Sequence, residues 1–370
     1  MTGRRPLRVL VCGTGFGQFY LRAVRALEPT FELAGVLGRG GARSRADAER
    51  HGVGYFTDIA EVPADVDIAC VVVRAAVAGG DGSELADGLL TRGIHVLQEQ
   101  PVHSDEMAGC LRQARRHGVH YRVNSFYPHL EPVRRFLAAA RNLRARQRPA
   151  FVDVLCASQV LYPAVDILGR ALGGLRPWAF ADPEPPSPRV AALADAAMPF
   201  RGVAGVLAGV PVTLRVQNQI HPDDPDNHAH LLHRVTLGAE GGVLTLADAH
   251  GPVLWHPRLH VRRDTDRRPV LTGPSADRLD LPSAVVLGAA EPRSFRRMFT
   301  EAWPDGVGRA LRAFGETVRG EVRSQGEEQY QLTTSAVWLE LTTRLGRPDL
   351  IRPAEPRPLS VADLTGEEFR

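Results

Sequence analysis

The chain has 370 residues, 45 basic side chains against 42 acidic ones, and a hydrophobic fraction of 44%. That length suits two domains with a sizeable core, and a net charge of +3 is too small to imply a nucleic-acid or anionic-membrane partner. Every basic residue is arginine, which excludes a Schiff-base lysine, a phosphate-loop lysine and a lysine general acid.

The first residues are short and polar and lead into a glycine turn, unlike a signal peptide. No apolar run reaches the ~18 residues of a membrane span. A soluble, cytoplasmic protein is the expectation. Cys12, Cys70, Cys110 and Cys156 are scattered without a CxxC pair and read as reduced core residues. Runs rich in Val, Ile and Leu at 7–12, 32–37, 67–73, 94–97 and 119–124 predict strands. Between them, 17–27, 44–51, 83–92 and 105–117 predict helices, the last capped by Ser104 with Asp105 and Glu106 in its first turn. Such alternation predicts a doubly wound parallel sheet of the Rossmann type.

Beyond residue 125 the pattern changes. A helix at 130–143, a strand at 151–157 and a helix at 163–172 precede a proline-rich loop at 182–188. Strand-like runs then follow at 202–207, 212–220, 230–237, 242–247 and 259–263 without helices between them, predicting a largely antiparallel open sheet. Two amphipathic helices, 306–319 and 327–345, come last. The expected fold is α/β: a nucleotide-binding domain at 1–125 and an α+β domain at 126–370.

The turn Gly13-Thr14-Gly15-Phe16-Gly17-Gln18 ends the first strand and opens the first helix. There, glycines let backbone approach a pyrophosphate at a helix N-terminus. The third glycine of GxGxxG belongs at position 18, where Gln18 stands, and Gly17 comes one step early. After the second strand, Gly38, Arg39, Gly40, Arg43 and Ser44 carry no acid for a ribose 2′-hydroxyl, and none appears before Asp47. Arginines and a serine suit a 2′-phosphate, so the cofactor expected is NADPH. An ordinary surface loop of an arginine-rich chain would read the same way.

Four segments are more distinctive: 68–80 (Ile68-Ala69-Cys70-Val71-Val72-Val73-Arg74 onward), Val96-Leu97-Gln98-Glu99-Gln100-Pro101-Val102-His103, Asn124-Ser125-Phe126-Tyr127-Pro128-His129 and His221-Pro222-Asp223-Asp224-Pro225-Asp226-Asn227-His228. Together they resemble the thiazolinyl imide reductases of nonribosomal siderophore pathways, a branch of the glucose–fructose oxidoreductase and inositol dehydrogenase superfamily. The resemblance covers nearly the whole chain, weakening at 182–201 and 264–294. It implies NADPH-dependent reduction of a thiazoline C=N to a thiazolidine on an intermediate tethered to a carrier protein. It also implies a homodimer formed through the second domain's sheet, and adds Val73, Arg74, Glu99 and Gln100 to the cofactor edge.

Sugar dehydrogenases of that superfamily resemble one another in a Glu-Lys-Pro and an Asp-x-x-x-His. Here these read Glu99-Gln100-Pro101 and Asp166-Ile167-Leu168-Gly169-Arg170, so both groups that would serve alcohol oxidation are replaced. The imine reductases often carry histidine at the position of Gln100. Its absence shifts the proton-donor role to Tyr127, with Gln100 as a neutral hydrogen-bonder for substrate or nicotinamide ribose. His103 is the nearby alternative acid, or a solvent histidine beside a helix. His129 is read as supporting Tyr127 or as a surface residue; Tyr162 and Asp166 as lining the cleft or packing the core. The cluster of His221, Asp223, Asp224, Asp226, His228, His230 and His233 matches no standard zinc or calcium spacing and reads as a structured loop, with no metal expected. A sugar or polyol dehydrogenase and a non-catalytic NADP-binding sensor remain the alternatives.

Overall fold

Apolar runs with no polar alternation need cover on both faces, and the first part of the chain supplies it with helices. In the computed structural model, which describes residues 5–75, 79–274, 276–288, 294–322 and 326–365, these runs form one parallel sheet. Residues 76–78 of the distinctive third-strand segment lie outside the described residues. The elements are β1 (Leu7–Cys12), α1 (Gly17–Ala26), β2 (Phe31–Leu37), α2 (Ala42–His51), β3 (Gly54–Phe56), β4 (Ile68–Val71), α3 (Gly82–Thr91), β5 (His95–Glu99), α4 (Ser104–His117) and β6 (Tyr121–Asn124). The strand order β3-β2-β1-β4-β5-β6 makes a doubly wound fold whose direction reverses between β1 and β4, where such sheets open a crevice at their carboxyl ends.

β3 was not anticipated, because a three-residue edge strand has no hydrophobic period to read. The cap of α4 also differs from expectation. His103 is the N-cap, its Nδ1 accepting from the Asp105 N–H at 3.2 Å, and Ser104 is the first helical residue. The apolar face of α4, Met107, Cys110, Leu111 and Ala114, falls at helical spacing and is buried. All four cysteines are free and buried.

The second part runs α5 (Glu131–Arg144), β7 (Pro149–Ala157), α6 (Leu161–Leu172), β8 (Trp178–Phe180), α7 (Pro188–Leu193), β9 (Phe200–Leu207), β10 (Val210–Gln217), β11 (Gln219–Ile220), β12 (His233–Ala239), β13 (Gly242–Leu246), β14 (Val253–Pro257) and β15 (Val285–Leu287). Then come α8 (Phe295–Arg297), a π-helical turn at Met298–Ala302, α9 (Trp303–Val318), α10 (Glu327–Leu345), β16 (Asp349–Leu350) and α11 (Val361–Thr365). The eight-stranded sheet has the order β15-β14-β13-β12-β7-β10-β9-β8, antiparallel except where β10 lies parallel to β7. In β10, Val210, Val212, Leu214 and Val216 point inward while Pro211, Thr213 and Arg215 face out.

The strand expected at 259–263 is not there. Its alternation imitates a strand, but only Arg263 makes a bridge, to Pro269, and Leu259 is 79% exposed. The strand at that point is β14, which pairs with β13 and buries Val253.

Helices α5 and α6 pack against the second sheet, whereas α9 packs on α1 and α10 on α4 and α6. The end of the chain thus returns to the first sheet, bringing α9 beside the glycine turn. Among the described residues, no helix is long and apolar enough to cross a membrane.

Candidate active site at the carboxyl ends of the parallel strands

Gly13 takes φ +84°, and a Cβ there would lie 2.9 Å from the Val72 carbonyl oxygen and 3.1 Å from the Val73 side chain. Only glycine fits a backbone this close to the end of β4. Gly15 has nothing within 4 Å of its missing Cβ, so the turn is open in front of it. The close packing of helix on sheet falls to Gly17, whose Cβ would be 3.3 Å from Val11 and 3.7 Å from Val72. Gln18 folds back instead, donating to the Gly15 carbonyl at 3.1 Å. The off-register third glycine therefore still meets the steric need. Phe16 is the N-cap of α1.

After β2, Thr14 Oγ1 lies 3.0 Å from Ser44 Oγ, and Arg43 Nη2 donates to the Thr14 carbonyl at 3.4 Å. Thr14, Arg43 and Ser44 thus meet beside the glycine turn. The Gly38 N–H donates to the Phe56 carbonyl, and the Gly40 N–H to the Tyr55 hydroxyl at 2.8 Å. Arg39 turns to Asp81, 2.6 Å away. Arg74 is exposed beyond β4.

At the end of β5, Glu99 accepts hydrogen bonds from the Tyr20 hydroxyl and from Asn124 Nδ2. Burial pushes its carboxyl up to about 8, against these hydrogen bonds. The Gln100 N–H donates to the Asn124 carbonyl at 3.1 Å, while its side-chain Oε1 is buried without a partner.

The end of β6 makes the sharpest turn of the site. Phe126 takes φ 60° and ψ −64°, and the Tyr127 N–H donates to the Ser125 carbonyl at 2.7 Å. This is a γ-turn of the rare, strained kind. Asn124 Oδ1 accepts from the Phe126 N–H at 3.0 Å and braces it. Tyr127 is buried, edge-on to His233 at 4.6 Å and to Phe126 at 5.1 Å, with His250 at 6.4 Å and Trp303 at 6.5 Å. Burial, then the Asp248 charge, holds its hydroxyl above the ordinary tyrosine range, and no described residue hydrogen-bonds that hydroxyl.

Sequence reasoning singled out His233 only as part of the 221–233 loop cluster, and missed Asp248, His250 and Trp303. Trp303 Nε1 donates to His250 Nε2 at 2.9 Å, so the neutral imidazole carries its proton on Nδ1, 3.5 Å from Asp248. Burial pulls the Asp248 carboxyl up, but hydrogen bonds from His250 and backbone N–H groups outweigh it and leave it below its ordinary range. His233 Nε2 donates to the Val160 carbonyl at 2.8 Å, and burial lowers its imidazole to about 4. Trp303 meets Phe16 at 5.4 Å and Phe126 at 5.1 Å, an aromatic wall joining the glycine turn to Tyr127. These residues come from β12, the loop after β13 and the start of α9, with no shared spacing to reveal them. Pro304 after Trp303 marks a helix start, which was the one available signal.

The other expected residues lie as follows. His129 is half-buried one turn beyond Tyr127; burial, then the Arg170 charge, lowers it to about 4. Tyr162 is buried with its ring edge-on to Trp338 of α10 at 5.7 Å, a packing contact. Asp166 is buried and bonded to Ser125, Arg170 and Tyr330. The segment 221–230 is a turn in which Arg352 pairs with Asp223, Asn227 bonds Asp224, and Gln217 clasps His228 and His230 through their backbones. Among the described residues no group of three or more His, Cys, Asp or Glu side chains is placed to hold a metal. A separate hollow lined by Asp182, Phe200, Arg201 and Arg344 contains none of the residues above.

A glycine turn at the switch point of a 3-2-1-4-5-6 sheet, beside a second open sheet domain, defines a dinucleotide-binding fold. Residues 7–125 match the oxidoreductase family with an NAD-binding Rossmann fold. Residues 147–256 match the family described as thiazolinyl imine reductase Irp3-like, C-terminal. The two matches, one in each domain of the chain, support its resemblance to the thiazolinyl imine reductases and to the wider oxidoreductase superfamily. No curated protein matches it. Among solved structures, GenD2 from gentamicin A biosynthesis, in complex with NAD, is similar at 15% identity and TM-score 0.62, over 91% of this chain and 93% of that one. KijD10, a 3-ketoreductase from Actinomadura kijaniata in complex with NADP and TDP-benzene, is similar at 16% and 0.63, over 94% and 100%. An oxidoreductase from Agrobacterium radiobacter, with NAD+, L-tartaric acid and magnesium, is similar at 12% and 0.64, over 90% and 94%. At such identities the likeness is one of fold.

Proposed function

We propose that the protein uses NADPH to reduce a thiazoline C=N to a thiazolidine on an intermediate tethered to a carrier protein. In this reading residues 1–125 hold the cofactor, and 126–370 bind substrate and form a homodimer. The carrying observation is Tyr127: a buried tyrosine whose hydroxyl has no hydrogen-bond partner among the described residues, set by a strained turn, with no lysine beside it. Imine reduction needs such a neutral donor, whereas alcohol oxidation needs a base. Arg170, which stands where a base is expected, is bound to Asp166.

The residues present fit the cofactor. Gly15 leaves backbone bare for a pyrophosphate, Gly13 lets the turn close against the end of β4, and Thr14, Arg43 and Ser44 gather hydrogen-bond donors for a 2′-phosphate. The orphaned Gln100 Oε1 would accept from a nicotinamide amide or ribose hydroxyl. When bound, the nicotinamide supplies the hydride. Tyr127 holds the proton for the ring nitrogen and is recharged from solvent, so substrate, NADPH and one proton become thiazolidine and NADP+. The packed rings of Phe16, Phe126 and Trp303 form the apolar side of the site between the glycine turn and Tyr127.

The test follows nicotinamide absorbance with NADPH and a thiazoline thioester mimic. Turnover is expected, and Tyr127→Phe is expected to slow single-turnover reduction by about 10²–10⁴-fold with NADPH binding nearly unchanged. Idle NADPH with the thiazoline, together with NADP+ reduction on adding sugars, would identify a sugar dehydrogenase instead.

A further inference from the structure

Immediately before the γ-turn, the Ser125 hydroxyl donates to Asp166 Oδ2. The other oxygen, Oδ1, accepts from Arg170 Nε at 2.7 Å and from the Tyr330 hydroxyl at 2.8 Å. The Arg170 guanidinium also lies 5.4 Å from the centre of the Tyr330 ring and 3.5 Å from Glu327. A Cβ on Gly169 would sit 2.5 Å from the Tyr330 oxygen, so glycine at that position lets α10 bring Tyr330 onto the carboxylate. One carboxylate, 4% exposed, therefore joins the loop after β6 to α6 and α10.

Stability alone is a weak reason for this arrangement, because a buried ion pair rarely outperforms well-packed apolar side chains. What the carboxylate grips is more telling. Between Ser125 and Tyr127 stands only Phe126, in a strained backbone conformation that persists only when its surroundings over-determine it. Asn124 holds the Phe126 N–H from one side. Asp166 holds Ser125 from the other.

We propose that Asp166 is a positioning residue for Tyr127, pinning through Ser125 the γ-turn that aims the tyrosine hydroxyl. Arg170 and Tyr330 fix the carboxylate in one rotamer, and Asp166 itself touches neither substrate nor cofactor. The Asp-x-x-x-Arg of this chain thus serves geometry rather than proton transfer. The inference rests on Tyr127 being the proton donor, so its test needs a readout independent of turnover.

That readout is ¹⁹F NMR of the full chain carrying 3-fluorotyrosine, with the Tyr127 resonance identified by its loss in Tyr127→Phe. Ser125→Ala should shift or broaden this resonance, and Tyr330→Phe should move it likewise. Single-turnover reduction of the thiazoline mimic should fall about tenfold or more, with the NADPH dissociation constant held within about twofold. Ser125→Thr, which keeps the hydroxyl, should restore both. A resonance unmoved in Ser125→Ala and Tyr330→Phe overturns the proposal, as does a moved resonance with an unchanged rate. If the wild-type protein does not reduce thiazolines, the imine reading fails and the resonance alone decides the positioning role.

Discussion

Glu99 shows how one residue's environment sets its chemistry. With its carboxyl raised from 4.5 to about 8, it stays protonated in the folded protein at pH values where the unfolded chain has lost that proton. A group with a raised folded pKa stabilises the fold fully below the unfolded value, and that contribution fades as pH rises towards the folded one. Glu99→Gln keeps an acceptor for Tyr20 and Asn124 but cannot ionise. Relative to this variant, wild type should lose stability as pH climbs from about 4.5 to about 8, and the difference should be level outside that window. His129 and His233, both lowered to about 4, act in the opposite sense as pH falls below 6.5, but they are common to both proteins and cancel. Denaturant titrations across pH check this; a constant difference would mean Glu99 is ionised in the fold.

At the scale of elements, α9 shows how the far end of the chain completes the site. Its Trp303 reaches the glycine turn only because the helix lies close on α1 and the first sheet. Gly315 permits that approach: a Cβ would come within 2.8 Å of Phe31 and 3.2 Å of Leu7, both buried. Alanine normally favours a helix over glycine by about 1 kcal/mol. Here Gly315→Ala should instead destabilise the protein by about 1–3 kcal/mol, because overpacking has nowhere to relax. Chemical denaturation would measure it. A more stable variant would show that the seam between α9 and the sheet is loose.

At the scale of the whole molecule, the second sheet buries one face under α5 and α6 and shows the other to solvent. A row of side chains, Val286, Leu254, Thr245, Thr236, Asp153 and Thr213, crosses that outer face through paired strands. Phe151, 39% exposed, lies over Gly238 beside it, and Val206 is exposed further along. A twofold homodimer, as proposed, would lay this open face with its exposed apolar side chains against the same face of a second copy. Sedimentation velocity should find twice the chain mass for wild type and a monomer for Phe151→Asp. A monomeric wild type would remove the dimer from the proposal.

The alternation of buried runs and helices was legible in the sequence, as was the change to an open sheet after residue 125, because hydrophobic period and turn residues are local properties. The glycine turn was legible because a tight backbone demands glycine at particular steps, whereas the block around Tyr127 stood out only through its resemblance to the imine reductases. What escaped were β3, too short to carry a period, and the imitation strand at 259–263, whose pattern lacked a partner. Also hidden was which residues would neighbour Tyr127. His233, Asp248, His250 and Trp303 sit more than a hundred residues from it and meet it only because the second sheet and α9 fold back over the first. The off-register Gly17 and the binding of Arg170 to Asp166 were likewise settled by contacts. Local backbone demands were written in the sequence; which distant side chains would share a cleft was decided by packing.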